Sequence, residues 1–331
     1  MGKLGAKWSF VIITGIVLLI IPFVFPNPYL LDTLILGFMY AILAASWDLL
    51  SGYTGQLSFG HSAFLALGAY CAAILTQRIG LSPWLGLPVG GLFAGFIGTL
   101  IGIPVLRVRG HYLAIVTLGF SEVIRLTAQN WLKLTGGPYG VHDYVTFPSF
   151  PENPILAKYY FYYTAFGLLL ICGAVMYLIC EHTQIGKAFK SIREDQTLAE
   201  ALGINTTFYK VLGFSLSCFF AGVAGAFYAY YVRLVSPYVA ESINTVWAVG
   251  MVILGGLGTL IGPIYGAIVL YSIYQAMRFV GVVYNLIAVG AVILIFVTYF
   301  PNGIWGVWDW ISKKPSLQGR NILLKNIFRS H

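Results

Sequence analysis

Five polar residues fall within a short stretch of an otherwise apolar chain: Asp48, Ser51, Gln56, Ser58 and His61. These types can hold an ion, relay a proton or hydrogen-bond a polar cargo. In hydrocarbon each would be expensive unless it faced protein, water or another polar group. Most of them lie in SGYTGQLSFGH, where Gly52, Gly55 and Gly60 permit tight turns and close helix approach. A helix broken at such a point must be buried in protein or line a cavity. The run as a whole reads as a helix break near a translocation path, with Gln56, Ser58 and His61 on the path or its gate. His61 taken alone fits a hydrogen-bonded core residue equally well. A second pair, Glu122 and Arg125 in GFSEVIRL, is spaced three apart, hence on one helical face and able to pair. Either charge alone near a membrane centre costs roughly 2.5–3.5 kcal/mol on insertion scales. The pair is an element of the path or gate, or an ion pair that locks neighbouring helices. A salt-bridged carboxylate makes a poor proton carrier at neutral pH.

Other chemistry is hard to find. There is no G-x-x-x-x-G-K-[ST] phosphate cradle, and Gly186-Lys187 is followed by Ala without a glycine-rich loop ahead. H-E-x-x-H, paired-cysteine and G-x-S-x-G motifs are absent as well. An intramembrane enzyme built on His61 and Asp48 would lack a nucleophile at a convincing spacing. Cys71, Cys172, Cys180 and Cys218 lie in apolar stretches and read as small buried hydrophobes, not disulfides or metal ligands. No cofactor is expected.

The elements that position these residues follow from composition. The chain has 331 residues, of which 59% are hydrophobic and 9% charged, with mean hydropathy +0.83. A soluble domain carries about 25% charged residues, so this one could not cover a water-facing surface. It reads as an all-α membrane protein. Lys3 and Lys7 before an apolar run from Trp8 to Phe25 imitate a secretory signal. That run is long, has no small-x-small site after it and meets Pro26-Asn27-Pro28, so it is expected to stay attached as a first span.

A span needs roughly 20 apolar residues. About ten are expected, near 8–26, 29–50, 57–77, 85–106, 111–132, 159–180, 208–232, 243–259, 262–279 and 283–300. With the N-terminus in the cytoplasm, thirteen Lys and Arg fall inside and five outside, Arg125 lying within a span. This follows the positive-inside rule and puts both termini inside. The formal charge of +8 is scattered over loops, which suits a basic cytoplasmic surface and not nucleic-acid binding. One permease-like domain over 1–310 and a basic cytoplasmic tail over 311–331 are expected.

Two connections exceed a turn. The outer one, about 133–158, holds TGGPYG and three prolines, as suits a rigid loop within a partner's reach or an ordinary solvated loop. The inner one, EHTQIGKAFKSIREDQTLAEALGINTT, carries an apolar stripe of Ile185, Ala188, Phe189, Ile192, Ala199 and Leu202. Their offsets predict one or two short amphipathic helices, ended by Gly203 as a C-cap. The opposite face mixes acids and bases, where a lipid-binding face would be mainly basic. It suits a protein partner. A second glycine-rich stretch, LGGLGTLIGPIYGA from Leu254 to Ala267, punctuates the later spans as the first does. Such paired breaks occur in transporters built from internal repeats.

Taken in order, GYTGQLSFGHSAFLALGAYCAAIL, RGHYLAIVTLGFSEVIRL, LTGGPYGV and GKAFKSIREDQTLAEALGINTTFYKVLGFSLSCFFAGVAGAFYA resemble the LivM-type permease subunits of bacterial branched-chain amino acid ABC importers. The resemblance covers roughly residues 30 to 300. It implies a many-span helical bundle similar to vitamin-B12-importer-like permeases, in the bacterial inner membrane. It also implies that the segment 185–204, with Arg193, Glu194, Ala199, Glu200 and Gly203, docks onto an ATPase subunit. A homologous second permease, two ATP-binding cassette subunits and a periplasmic substrate-binding protein would complete the assembly. The cargo would be a branched-chain or other hydrophobic amino acid. His111 and the lysine-rich tail have no reading by analogy. A urea or short-chain amide permease of similar architecture is the nearest rival, against which Gln56 leans. An ion-coupled transporter working alone through Glu122 is the rival of another class, and ATP-free uptake by the isolated chain would select it.

Overall fold

The computed structural model describes residues 2–106, 111–147, 154–278 and, in part, 289–304. The described chain is helical, apart from one isolated antiparallel bridge between Val141 and Val235. The helices are α1 (Gly2–Val24), α2 (Pro28–Thr54), α3 (His61–Ile79), α4 (Pro83–Val105), α5 (His111–Asn130), α6 (Leu132–Thr135), α7 (Pro154–Tyr177), α8 (Gln184–Glu194), α9 (Gln196–Ala201), α10 (Thr206–Val232), α11 (Ser242–Gly255) and α12 (Ile261–Met277).

Among the described residues, five helices are long and apolar enough to cross a membrane: α2, α3, α4, α10 and the run Ile155–His182, which is α7 continued through a π-helical turn. Val11–Val24, α11 and α12 are shorter apolar helices. The protein is therefore a multi-pass helical membrane protein. Helix α5 forms where a span was expected but falls outside the long apolar set, since it carries Glu122, Arg125, Gln129 and Asn130 among its apolar residues. The span expected at 283–300 lies mostly outside the described residues, and the tail at 311–331 wholly so.

Local chemistry sets the helix ends. Asn27 caps α2, its Oδ1 accepting from the Tyr29 amide at 2.9 Å, and Pro28 occupies the first turn, where no amide partner is needed. The far end of α2 stops at Gly55, whose φ of +72° is left-handed. With 27 residues, α2 is about 40 Å long. It is the central element, nearly all of it buried beyond its first turn.

Around α2 the helices form two groups. On one side α3, α4 and α10 pack closely, and on the other α7, α11 and α12 lie against α2 itself. The first group is built on small residues. A Cβ on Gly68 of α3 would collide with the Gly222 backbone of α10, and one on Gly222 would meet Ala94 of α4. Without a hydrophobic force between helices in lipid, such close backbone approach supplies the packing. Outward faces of α1, α4 and α7 leave Ile16, Phe96 and Ile171 more than half exposed, as a lipid-facing surface requires.

The connection after α5 folds back onto the bundle. Tyr144 donates to the Ala229 carbonyl at 2.7 Å, and Phe147 packs among Trp84, Phe161 and Tyr230. Much of the expected outer loop is thus packed structure, although Tyr139 stands 81% exposed.

Candidate functional site

The two glycine-rich breaks, some two hundred residues apart in sequence, meet. Asp48, nearly two turns before the end of α2, accepts the Gly258 amide on Oδ1 at 2.6 Å and the Leu260 amide on Oδ2 at 3.0 Å. The 256–260 turn joining α11 to α12 needs this support. Gly256, Gly258 and Leu260 all have positive φ (119°, 74° and 52°); the Gly256 amide still closes α11 on the Val252 carbonyl at 2.7 Å, whereas those of Gly258 and Leu260 are turned from any helical partner. A carboxylate, which only accepts, can satisfy two amides at once. Gly52 lets the turn approach: a Cβ there would clash with Asp48 and stand 2.7 Å from the Gly258 nitrogen.

The inner segment closes this node. Arg193, near the end of α8, donates from Nη1 to the Gly52 carbonyl at 2.6 Å. Its stem lies against Gly55, and a Cβ on Gly258 would stand 2.9 Å from the same Nη1. One guanidinium therefore touches both breaks. Beside it, Glu181 accepts from Tyr53 at 2.8 Å and Lys190 at 2.7 Å, and Phe189 is fully buried against Gly213 of α10.

The irregular stretch 55–60 is held by side chains. Trp47 Nε1 donates to the Ser58 carbonyl at 2.7 Å, Ser51 to the Gln56 carbonyl at 2.8 Å, and Thr117 of α5 accepts the Phe59 amide at 2.9 Å. His61 opens α3. Its Nε2 bonds Ser217 at 2.6 Å, and Ser217 donates to the Ser46 carbonyl at 2.7 Å. Ser58 and His61 are fully buried. The Gln56 side-chain amide and His61 Nδ1 are buried without a hydrogen-bond partner among the described residues.

Glu122 and Arg125 do pair, Nε to Oε2 at 2.8 Å, on a partly exposed face of α5. They do not join the node. From α5 it is Thr117 and Ser121 that reach the break, Ser121 lying 3.3 Å from Ser62.

In the inner segment, Thr183 caps α8, and Asp195 caps α9 by accepting the Thr197 and Leu198 amides at 2.8 and 3.1 Å. Gly203 follows α9 with φ +83°, as a C-cap glycine should. Ala188, Phe189, Ile192 and Ala199 are buried as the stripe predicts, but Leu202 is 73% exposed. Asp195 is extended (φ −156°, ψ 112°), so α9 starts with a new register and the stripe does not run on. The reset also turns out Leu198, 60% exposed, which the periodicity did not single out. Of the residues expected to dock, Glu194 projects outward, Ala199 faces in, and Glu200 accepts from Gln196 and Thr206 at 2.8 and 2.6 Å.

Comparison with known proteins gives a family. The family model described as the permease component of branched-chain amino acid transport systems matches residues 29–297. The chain is 30% identical over 326 residues to the high-affinity branched-chain amino acid transport system permease protein LivM of Escherichia coli K12, covering 91% of this chain and 72% of that protein. It is 22% identical over 293 residues to LivH of the same organism, covering 82% and 92%. The probable LivM of Methanocaldococcus jannaschii is 22% identical over 325 residues, covering 83% and 93%. No solved structure matches the chain.

Proposed function

This chain belongs to the family of permease components of branched-chain amino acid ABC transport systems, and from that premise we propose how it moves cargo. It is a transport subunit, not an enzyme. In our reading it forms half of a translocation pathway for branched-chain or other hydrophobic amino acids. A homologous permease supplies the other half, two ATP-binding cassette subunits supply energy, and an extracytoplasmic binding protein supplies cargo. Both termini and the α8–α9 segment face the cytoplasm of a bacterial inner membrane, and the bundle is similar to vitamin-B12-importer-like permeases.

The observation that carries the mechanism is the contact of Arg193 with both glycine breaks. An ATPase closing on α8–α9 would push on Leu198, Leu202 and Glu194, with Gly203 setting the exit of the segment. Arg193 would pass that displacement to the ends of α2 and α11 together. Positive-φ glycines are the places where the backbone can yield. Gln56, Ser58 and His61 then serve as the gate's hinge, and Glu122–Arg125 steadies α5 beside it. Alternating access follows as the breaks reorient.

The test is co-purification with the ATPase. Leu198→Glu with Leu202→Glu alters two exposed side chains, so insertion and folding should persist while ATPase association and ATP-driven leucine uptake fall at least tenfold. Unchanged association and uptake would overturn the docking surface.

A further inference from the structure

A second feature lies at the other end of the bundle. A cavity of about 620 Å³ opens among α2, α10, α11 and α12. Tyr228 on its wall is fifteen residues along α10 from Gly213, against which Phe189 of α8 packs. That is about 22 Å of helix away from the inner segment.

The wall is aromatic. Tyr40 stacks on Tyr271 with ring centres 5.2 Å apart, and Trp247 meets Tyr274 edge-on at 4.8 Å. Besides the tyrosine hydroxyls, the cavity's polar groups are Asn244, Gln275 and Arg278. Arg278 lines the cavity and is exposed, with no side-chain hydrogen bond or ion pair among the described residues. Asn244 accepts from Tyr40 at 3.1 Å, which fixes the ring facing the cavity. A smaller cavity of about 200 Å³ shares Tyr40, Tyr228 and Asn244 and is also lined by Glu241. Arg125 acts on Glu241 electrostatically but makes no ion pair with it. A cation, an aromatic wall and a carboxylate thus border two adjoining cavities. The cavity between α1, α7 and α12, about 370 Å³, is lined by Leu18, Leu169, Ile264 and similar residues with no charged group, so of these three the charges mark the adjoining pair alone.

We propose that this vestibule is a cargo-reading site for a zwitterionic α-amino acid with an apolar side chain. The inference rests on the transport reading above. Arg278 meets the carboxylate, as guanidinium does wherever carboxylates are recognised. The ammonium group faces Glu241 and the tyrosine rings, whose faces also attract cations. The side chain lies on Trp247, Tyr271 and Tyr274. The volume falls within the range of small-molecule sites, roughly 300–1,000 Å³. Cargo would be sorted here within the membrane as well as by any protein that delivers it.

Uptake of leucine by the complete transport complex in proteoliposomes tests this. Arg278→Gln should slow uptake at least tenfold, with the amount of assembled complex recovered from the membrane within twofold of the unaltered protein. Arg278→Lys keeps the charge and should recover at least a third of the uptake. Trp247→Ala widens the wall and should raise phenylalanine uptake relative to leucine at least threefold. Undiminished uptake in Arg278→Gln, or Arg278→Lys failing as fully as Arg278→Gln with an unmoved leucine-to-phenylalanine ratio, would overturn the site. A wild-type complex that takes up no leucine on ATP would overturn the transport reading itself.

Discussion

Glycine serves two different ends in this protein, and the contrast between the α3–α4–α10 group and the α2/α11 breaks shows how. In the first group Gly68, Gly222 and Gly225 have ordinary helical backbone and matter because nothing larger fits between the helices. At the breaks Gly55, Gly256 and Gly258 have positive φ and matter because they let the chain turn. The first arrangement fixes two backbones against each other. The second depends on borrowed partners, an aspartate and an arginine, that can be taken away. One region is a frame, and the other is a joint.

The strongest way to break that comparison is to attack the frame. Gly68→Leu drives a side chain into the Gly222 backbone, which cannot swing aside as a flexible side chain could. Overpacking commonly costs about 1–3 kcal/mol, and backbone obstruction should exceed it. No monodisperse protein is expected after detergent extraction and size-exclusion chromatography. Recovery of a normal peak would deny that α3 and α10 form the frame.

Asp48→Ala attacks the joint and should do less to folding and more to function. It strips the acceptor from two amides, at about 1–3 kcal/mol each if they stay buried. The expected outcome is inserted protein with a lowered melting temperature and leucine uptake reduced at least tenfold. Full uptake in this variant would mean that the 256–260 turn plays no part in the transport cycle. The smallest effect belongs to Gly119→Ala, a helical glycine with open space around it. Removing backbone freedom there should change stability by less than about 1 kcal/mol, in the favourable direction. A large loss at Gly119 would show that glycine content, regardless of position, governs stability here.

Much of the framework was legible in the sequence, and the reasons are local. Expected spans at 29–50, 85–106 and 208–232 become helices Pro28–Thr54, Pro83–Val105 and Thr206–Val232, because apolar runs and Gly or Pro punctuation report helix ends directly. The third span starts at His61 and not at 57, since the intervening residues are held by Trp47, Ser51 and Thr117, which no window of sequence reveals. Asp48 was recognisable as out of place in hydrocarbon. Its partners, more than two hundred positions away, were not. Leu202 was misplaced for a simple reason: periodicity was carried across an extended Asp195 that resets the helical phase. The paired breaks were visible as composition, whereas their meeting is a property of the folded chain.

Helix α2 runs from Pro28 to Thr54 with no proline or glycine break between Tyr40 and Asp48. Tyr40 on the aromatic wall and Gly52 under the Arg193 guanidinium thus sit on a single stiff rod, twelve residues or about 18 Å apart. Tilting such a rod by about ten degrees about its inner end carries Tyr40 sideways by roughly 3 Å, on the scale of a methyl group or more. A small nudge at the inner surface would therefore reshape the vestibule without any intermediary, and the two ends of the molecule would share one moving part.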